Sequence, residues 1–151
     1  MNMKILQIDF DTILSIWKEQ LWPNRTSPIE SHSAMRYLSK EYDIENFALP
    51  SQYLGCYIDN MLIGVNSCHL CIDGSARSRG LWVSPDHRRK GIGQKLLNAT
   101  VNFAKSQNSI LVWSYSRKTS WPTYNSVGFE LSSDWEKSET SEANAYCYIK
   151  L

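Results

Sequence analysis

Apolar residues recur along this chain in two rhythms, and the changes between them mark its elements. Met3 to Phe10 reads as a first strand. Ile13, Leu14, Trp17 and Leu21 then recur at helical spacing. With Asp11-Thr12 as cap and Pro23 as stop, they predict a helix through Trp22. Trp22 to Pro28 is a loop rich in turn formers. A second helix is expected from Ile29 or Ser31 to about Lys40, carrying Met35 and Leu38. Gln52 to Tyr57 and Met61 to Ile72 read as a hairpin turned at Asp59-Asn60. Asp73-Gly74 leads into a central strand, Arg77 to Val83, which Ser84-Pro85 closes because proline has no N–H to give a ladder.

After a turn from Asp86 to Gly93, a helix is expected to about Gln107. Ile92, Leu96, Ala99, Thr100, Phe103 and Ala104 fall on one face, and Gln94, Lys95, Asn98, Asn102 and Lys105 on the other. Ile110 to Ser114 is apolar throughout most of its length, as expected in the middle of a sheet. A short helix near Trp121 to Val127, a strand at Phe129 and a last strand from Ala145 to Lys150 complete the chain. The order predicts an α/β (α+β) fold with a mixed, mostly antiparallel sheet of about seven strands and about four helices. The crossover from the fourth strand through the long helix makes the fourth and fifth strands parallel and right-handed.

Composition narrows the classes. A chain of 151 residues that is 42% hydrophobic suits a single domain, 1–151, with a sizeable core. No run approaches a membrane span, and the N-terminus lacks the apolar core of a signal peptide, so a cytoplasmic protein with no membrane partner is expected. Cys56, Cys68, Cys71 and Cys147 read as free thiols. Cys68 and Cys71 lie three apart in a strand, on opposite faces, and no second pair completes a metal site. The net charge is +1, against wholesale nucleic-acid binding. It is unevenly spread: Arg77, Arg79, Arg88, Arg89, Lys90 and Lys95 stand close together, while the serine-rich stretch from Ser132 to Asn144 is acidic and reads as an exposed loop.

The basic turn carries the chemistry. Gly91 and Gly93 lack a Cβ, so amides at the helix N-terminus can approach an anion, and Arg88, Arg89 and Lys90 add charge beside them. The pattern Arg88-Arg89-Lys90-Gly91-Ile92-Gly93 follows a strand and opens an amphipathic helix. Tyr124-Asn125-Ser126-Val127-Gly128-Phe129 comes some thirty residues later. Together they resemble the GCN5-related N-acetyltransferase (GNAT) family, most closely over Leu54 to Phe129. The resemblance implies a sheet whose fourth and fifth strands splay apart, and acetyl-CoA as cofactor. Its pyrophosphate would lie on Arg88, Arg89, Lys90, Gly91, Ile92, Gly93 and Gln94. Its pantetheine arm would pair with Leu81, Trp82 and Val83, with the amide of Trp82 or Val83 stabilising the oxyanion. Tyr124 would donate to the departing sulfur. Trp22 and Arg25, in the loop after the first helix, would meet the acceptor, a primary amine of a small molecule attacking directly in a ternary complex. A homodimer is also in keeping with the family, though no residue marks one.

Two positions depart from the pattern. Where relatives place a Glu or His base, this chain has Arg77 and Arg79, which stay protonated. The amine then arrives neutral, or a water chain takes the proton, or His69 on the neighbouring strand accepts it. By strict alternation Arg77, Arg79, Leu81 and Val83 share one face. The two arginines therefore either meet an acceptor that carries an acid group or pair with the acidic loop at the strand entrance. The segment from Arg117 to Pro122 also departs from the family pattern, which weakens any carry-over to Arg117. A GNAT-like module that binds CoA without catalysis is the alternative reading.

Overall fold

In a computed structural model, described for residues 2–39, 41–137 and 142–151, seven strands form one sheet. They are β1 (Met3–Gln7), β2 (Ala48–Ile58), β3 (Met61–Leu70), β4 (Ala76–Val83), β5 (Leu111–Arg117), β6 (Glu130–Leu131) and β7 (Asn144–Lys150). Their order is β1-β2-β3-β4-β5-β7-β6. Only β4 and β5 are parallel, as the crossover requires. Three α-helices accompany the sheet: α1 (Phe10–Ile16), α2 (Ile92–Ser106) and α3 (Trp121–Val127). The four free cysteines are all buried. No helix among the described residues is long and apolar enough to cross a membrane.

Helix α1 starts earlier than the Asp11-Thr12 reading. Asp9 is the cap, its carboxylate accepting from Thr12 N at 2.8 Å and from Thr12 Oγ1 at 2.6 Å. The helix then runs into a wider π-helical turn, Trp17–Leu21. Ile13 of α1 and Trp17 of that turn pack into the core beside Val65 and Trp82.

The helix expected from Ile29 or Ser31 to about Lys40 does not form; Lys40 itself lies outside the described residues. Met35 and Leu38 are too few to make a buried stripe, and Leu38 is exposed with a positive φ of 66°. The backbone instead closes a loop, with Arg36 N donating to Glu41 O and Asp43 N to Ala34 O. The acidic segment is less free than expected. Ser132 N donates to Tyr146 O, Glu136 bridges Asn144, and Trp135 meets Trp121 edge-on. Residues 138–141 of that expected loop lie outside the described residues.

Two local features of β4 position everything that follows. First, β4 pairs with β5 only at Ala76↔Val112 and Arg77↔Trp113, whereas β5 pairs with β7 from Leu111 to Arg117. Beyond Arg77 the parallel strands diverge. Second, β4 bulges. Trp82 faces Val65 and Arg79 faces Ser67, so Gly80 and Leu81 together oppose Asn66. Gly80 has φ +76°, and a Cβ there would lie 2.1 Å from Trp17 Nε1, which donates to the Gly80 carbonyl at 3.0 Å.

The bulge corrects the strict alternation. Arg79 and Trp82 lie on the α1 side with Trp17. Leu81 and Val83 instead pack with Ile92 and Leu96 of α2, and Ser78 bonds Asn66 there. Arg77 and Arg79 therefore do not share a face with Leu81 and Val83.

Candidate active site

The divergence of β4 and β5 opens two adjoining cavities. One, of about 810 Å³, lies against the N-termini of α2 and α3. It is lined by Leu81, Trp82, Val83, Arg88, Arg89, Gly91, Ile92, Gly93 and Gln94, that is, by every residue assigned to the cofactor except Lys90. A single turn of 3-10 helix, Pro85–His87, leads out of β4. Arg88 folds back so that its Nε donates to Val83 O at 3.0 Å, fixing the turn to the strand. Arg89 and Gly91 both have positive φ, 63° and 78°. No side chain caps α2 at Gly91, so the first-turn amides are left for a ligand.

Gly93 sets the second dimension of this cradle. A Cβ there would come within 3.1 Å of Thr123 Cγ2, so glycine lets α3 approach α2 closely. Gln94 Nε2 donates to Ser126 Oγ at 2.8 Å and ties the two helices together. Bare amides, two glycines and the guanidinium groups of Arg88 and Arg89 suit the pyrophosphate of a nucleotide-like ligand.

The second cavity, of about 730 Å³, lies under the segment that follows α1. Trp22, Arg25, Arg77, Arg79 and Tyr124 all line it, as do Glu30, His32 and Arg117. Leu21, Leu81, Arg117 and Ser120 line both cavities, so the two adjoin across the gap between the strands. Arg25 braces its own loop, donating to Ser27 Oγ at 3.0 Å and to Pro28 O at 2.9 Å, beneath Trp22. Arg117 donates to the carbonyl of Leu21 and anchors the start of that loop.

Tyr124 stands where the strands part. Its hydroxyl accepts from Ser114 Oγ on β5 at 3.0 Å and lies 2.8 Å from Ser78 Oγ on β4. Behind Ser78, Asn66 Nδ2 donates to Ser78 Oγ and to Thr100 Oγ1, both at 2.9 Å. Burial pushes the phenol up to about 12, so it keeps its proton at neutral pH. Ser78, Ser114, Asn66 and Thr100 were not singled out from the sequence. The available signal was small polar residues set inside otherwise apolar strands and on the apolar face of α2.

His69 lines neither cavity. It is fully buried, its Nε2 lies 2.9 Å from Ser67 Oγ, and its Nδ1 has no partner. Desolvation, with Arg79 and Arg77 nearby, holds its pKa well below the ordinary value, so it is neutral and a weak base. Among the described residues, no group of three or more His, Cys, Asp or Glu side chains could hold a metal ion.

This sheet, split between two parallel strands with a glycine cradle at one side and a tyrosine at the gap, defines an acyl-CoA-dependent transferase architecture. The family model of the acetyltransferase (GNAT) family matches residues 14–129, and the chain belongs to that family, whose donor is acetyl-CoA. Solved structures agree at the level of fold. Escherichia coli ElaA superposes with a TM-score of 0.71 at 11% identity, covering 99% of both chains. An IAA acetyltransferase from Bacillus cereus gives 0.68 at 16% identity, over 99% of this chain and 100% of that one. A Bacillus anthracis protein solved with acetyl coenzyme A gives 0.66 at 13% identity, over 99% and 100%. No curated protein sequence matches the chain.

Proposed function

We propose that this acetyltransferase moves the acetyl group of acetyl-CoA to a primary amine of a small molecule, both substrates being bound together. The observation that carries this reading is the meeting of two cavities at the splay of β4 and β5, one suited to a pyrophosphate and the other of a volume that suits a small acceptor. Pyrophosphate on the α2 amides and the thioester along Leu81 to Val83 would put the reacting carbon beside Tyr124. The amine nitrogen attacks that carbon while the amide of Trp82 or Val83 holds the oxyanion. The C–S bond then breaks, the sulfur takes the Tyr124 proton, and the proton shed by the attacking nitrogen passes through water to restore the phenol.

Arg77 and Arg79 hold their protons and His69 lies outside both cavities, so the amine enters neutral or loses its proton to water. The four cysteines, none of them in a disulfide, support a place in the reducing cytoplasm.

Thiol release from acetyl-CoA, followed with a panel of primary amines, tests the proposal. The expected result is amine-dependent release with intersecting initial-velocity lines. Parallel lines would contradict the ternary complex. Acetyl-CoA binding without acetylation of any amine would make the chain a CoA-binding module.

A further inference from the structure

The acceptor cavity holds an unusual pair of charges. Arg79 is 6% exposed and Arg77 half-buried, and they stand two residues apart on the same side of β4. Among the described residues neither meets a carboxylate within ion-pair distance, and the salt bridge is Arg36 with Asp43, elsewhere. Arg77 gives Nη1 to Ser33 Oγ at 2.8 Å, and Arg79 gives Nη1 to the Glu30 carbonyl at 2.9 Å. Those neutral acceptors use only part of each fork, and Arg77 Nε is buried with no partner at all. Indole rings fix both guanidinium planes: Trp113 lies 5.2 Å from Arg77, and Trp17 and Trp22 lie 4.7 and 5.9 Å from Arg79.

Buried like charges without a counter-ion are costly. The cost shows in both groups, which burial lowers, Arg79 to about 9; at neutral pH each still carries its proton. Arg25 and Arg117 add positive charge to the same walls, against the carboxylate of Glu30 among the described residues. The mouth is different in kind. Tyr42 and Ile44 line it and are 72% and 75% exposed, with Met35 beside them.

We propose that the acceptor is an amino-acid-like amine, its carboxylate held by the guanidinium groups of Arg77 and Arg79 and its apolar portion against Met35, Tyr42 and Ile44. The inference rests on the acetyl-transfer reading for the amine but not for the carboxylate. The planar fork suits a carboxylate held by N–H bonds, and Ser33 and Glu30 take only the Nη1 side of each arginine, leaving the other side of each fork to such a group. Held there, the acid end of the acceptor would orient its amine toward the gap at Leu81 and Tyr124.

Calorimetric binding to the protein saturated with CoA, which has no acetyl group to transfer, tests this apart from turnover. The probes are leucine, phenylalanine, methionine, glutamate and β-alanine, each beside its carboxamide, which keeps the amine and loses the charge. At least one acid should bind ten times more tightly than its amide, or better. Arg79→Gln should erase that preference while acetyl-CoA affinity, measured on the same sample, shows the variant folded. The wild-type comparison stands even if the variant does not fold. Equal binding of every acid and its amide, or no binding of any acid, would overturn the proposal. An acid preference without acetyl transfer would keep the carboxylate site and sink the enzymatic reading instead.

Discussion

The Tyr124 hydroxyl joins β4 to β5 at the point of their parting, and its role follows from protonation. Burial holds it near 12, above the ordinary 10.0, because a phenolate in that site would lose its hydration. It therefore has a proton to give well above neutral pH, and no alkaline limb of the rate near pH 10 should belong to it. Tyr124→Phe removes only that hydroxyl. Turnover should fall by about 10²–10⁴-fold with acetyl-CoA affinity kept, as read by thiol release and calorimetry. A kcat within about threefold of wild type would remove Tyr124 from the proton path.

The sequence made this residue legible through its distance from Gly128-Phe129. It did not reveal Ser78 and Ser114, because a serine in a strand looks the same whether it faces solvent or a buried phenol. His69 misled in the opposite sense. A strand histidine beside the site was visible, but its complete burial was not.

Among the elements, β4 shows best where periodicity stops being informative. Reading Arg77, Arg79, Leu81 and Val83 as one face assumed an unbroken period of two. Gly80 was the one sign against it, since glycine within a strand often marks a bulge. The Trp17 indole fills the space a Cβ would need. Gly80→Ala should thus cost about 2–5 kcal/mol, from a strained positive φ and overpacking together. Urea unfolding checks it, and a loss under about 1 kcal/mol would mean that Trp17 can withdraw freely.

The stretch from Ile29 or Ser31 to about Lys40 reads as helical from Met35 and Leu38 alone. Its actual order comes from distant partners. Ser33 meets Arg77, His32 stacks on Phe47 at 4.0 Å, and no local spacing encodes these contacts. The cradle, by contrast, is written in consecutive residues, and so is the long helix it opens.

At the scale of the whole molecule, the order β2-β3-β4-β5 follows from hairpin turns and one crossover, while the place of β7 between β5 and β6 and the depth of the split between β4 and β5 do not. That depth depends on β5 preferring β7, a pairing between segments far apart in sequence. The same closed core makes an alkaline prediction. The Cys68 and Cys147 thiols and the Tyr124 phenol are each raised to about 12 by burial, from 9.0, 9.0 and 10.0. Groups raised on folding stabilise fully below their unfolded values, and that contribution is lost as pH rises through the folded ones. Stability should therefore fall from about pH 9 toward 12, by up to about 4 kcal/mol per pH unit with all three titrating. Urea midpoints that hold steady across that window would contradict the buried thiols.

The central claim is that acetyl-CoA enters at the α2 N-terminus and reacts at the splay. Calorimetric titration of acetyl-CoA into wild type and Gly91→Glu tests it most directly. A Cβ at Gly91 would meet nothing nearer than Gln94 Oε1 at 3.7 Å, so the variant has room to fold despite the positive φ, and circular dichroism verifies that it does. Glutamate sets a negative charge where the pyrophosphate belongs, and binding should weaken by about 100-fold or more. Equal affinity in both proteins would place the cofactor elsewhere, and no binding by wild type would contradict the account at its root.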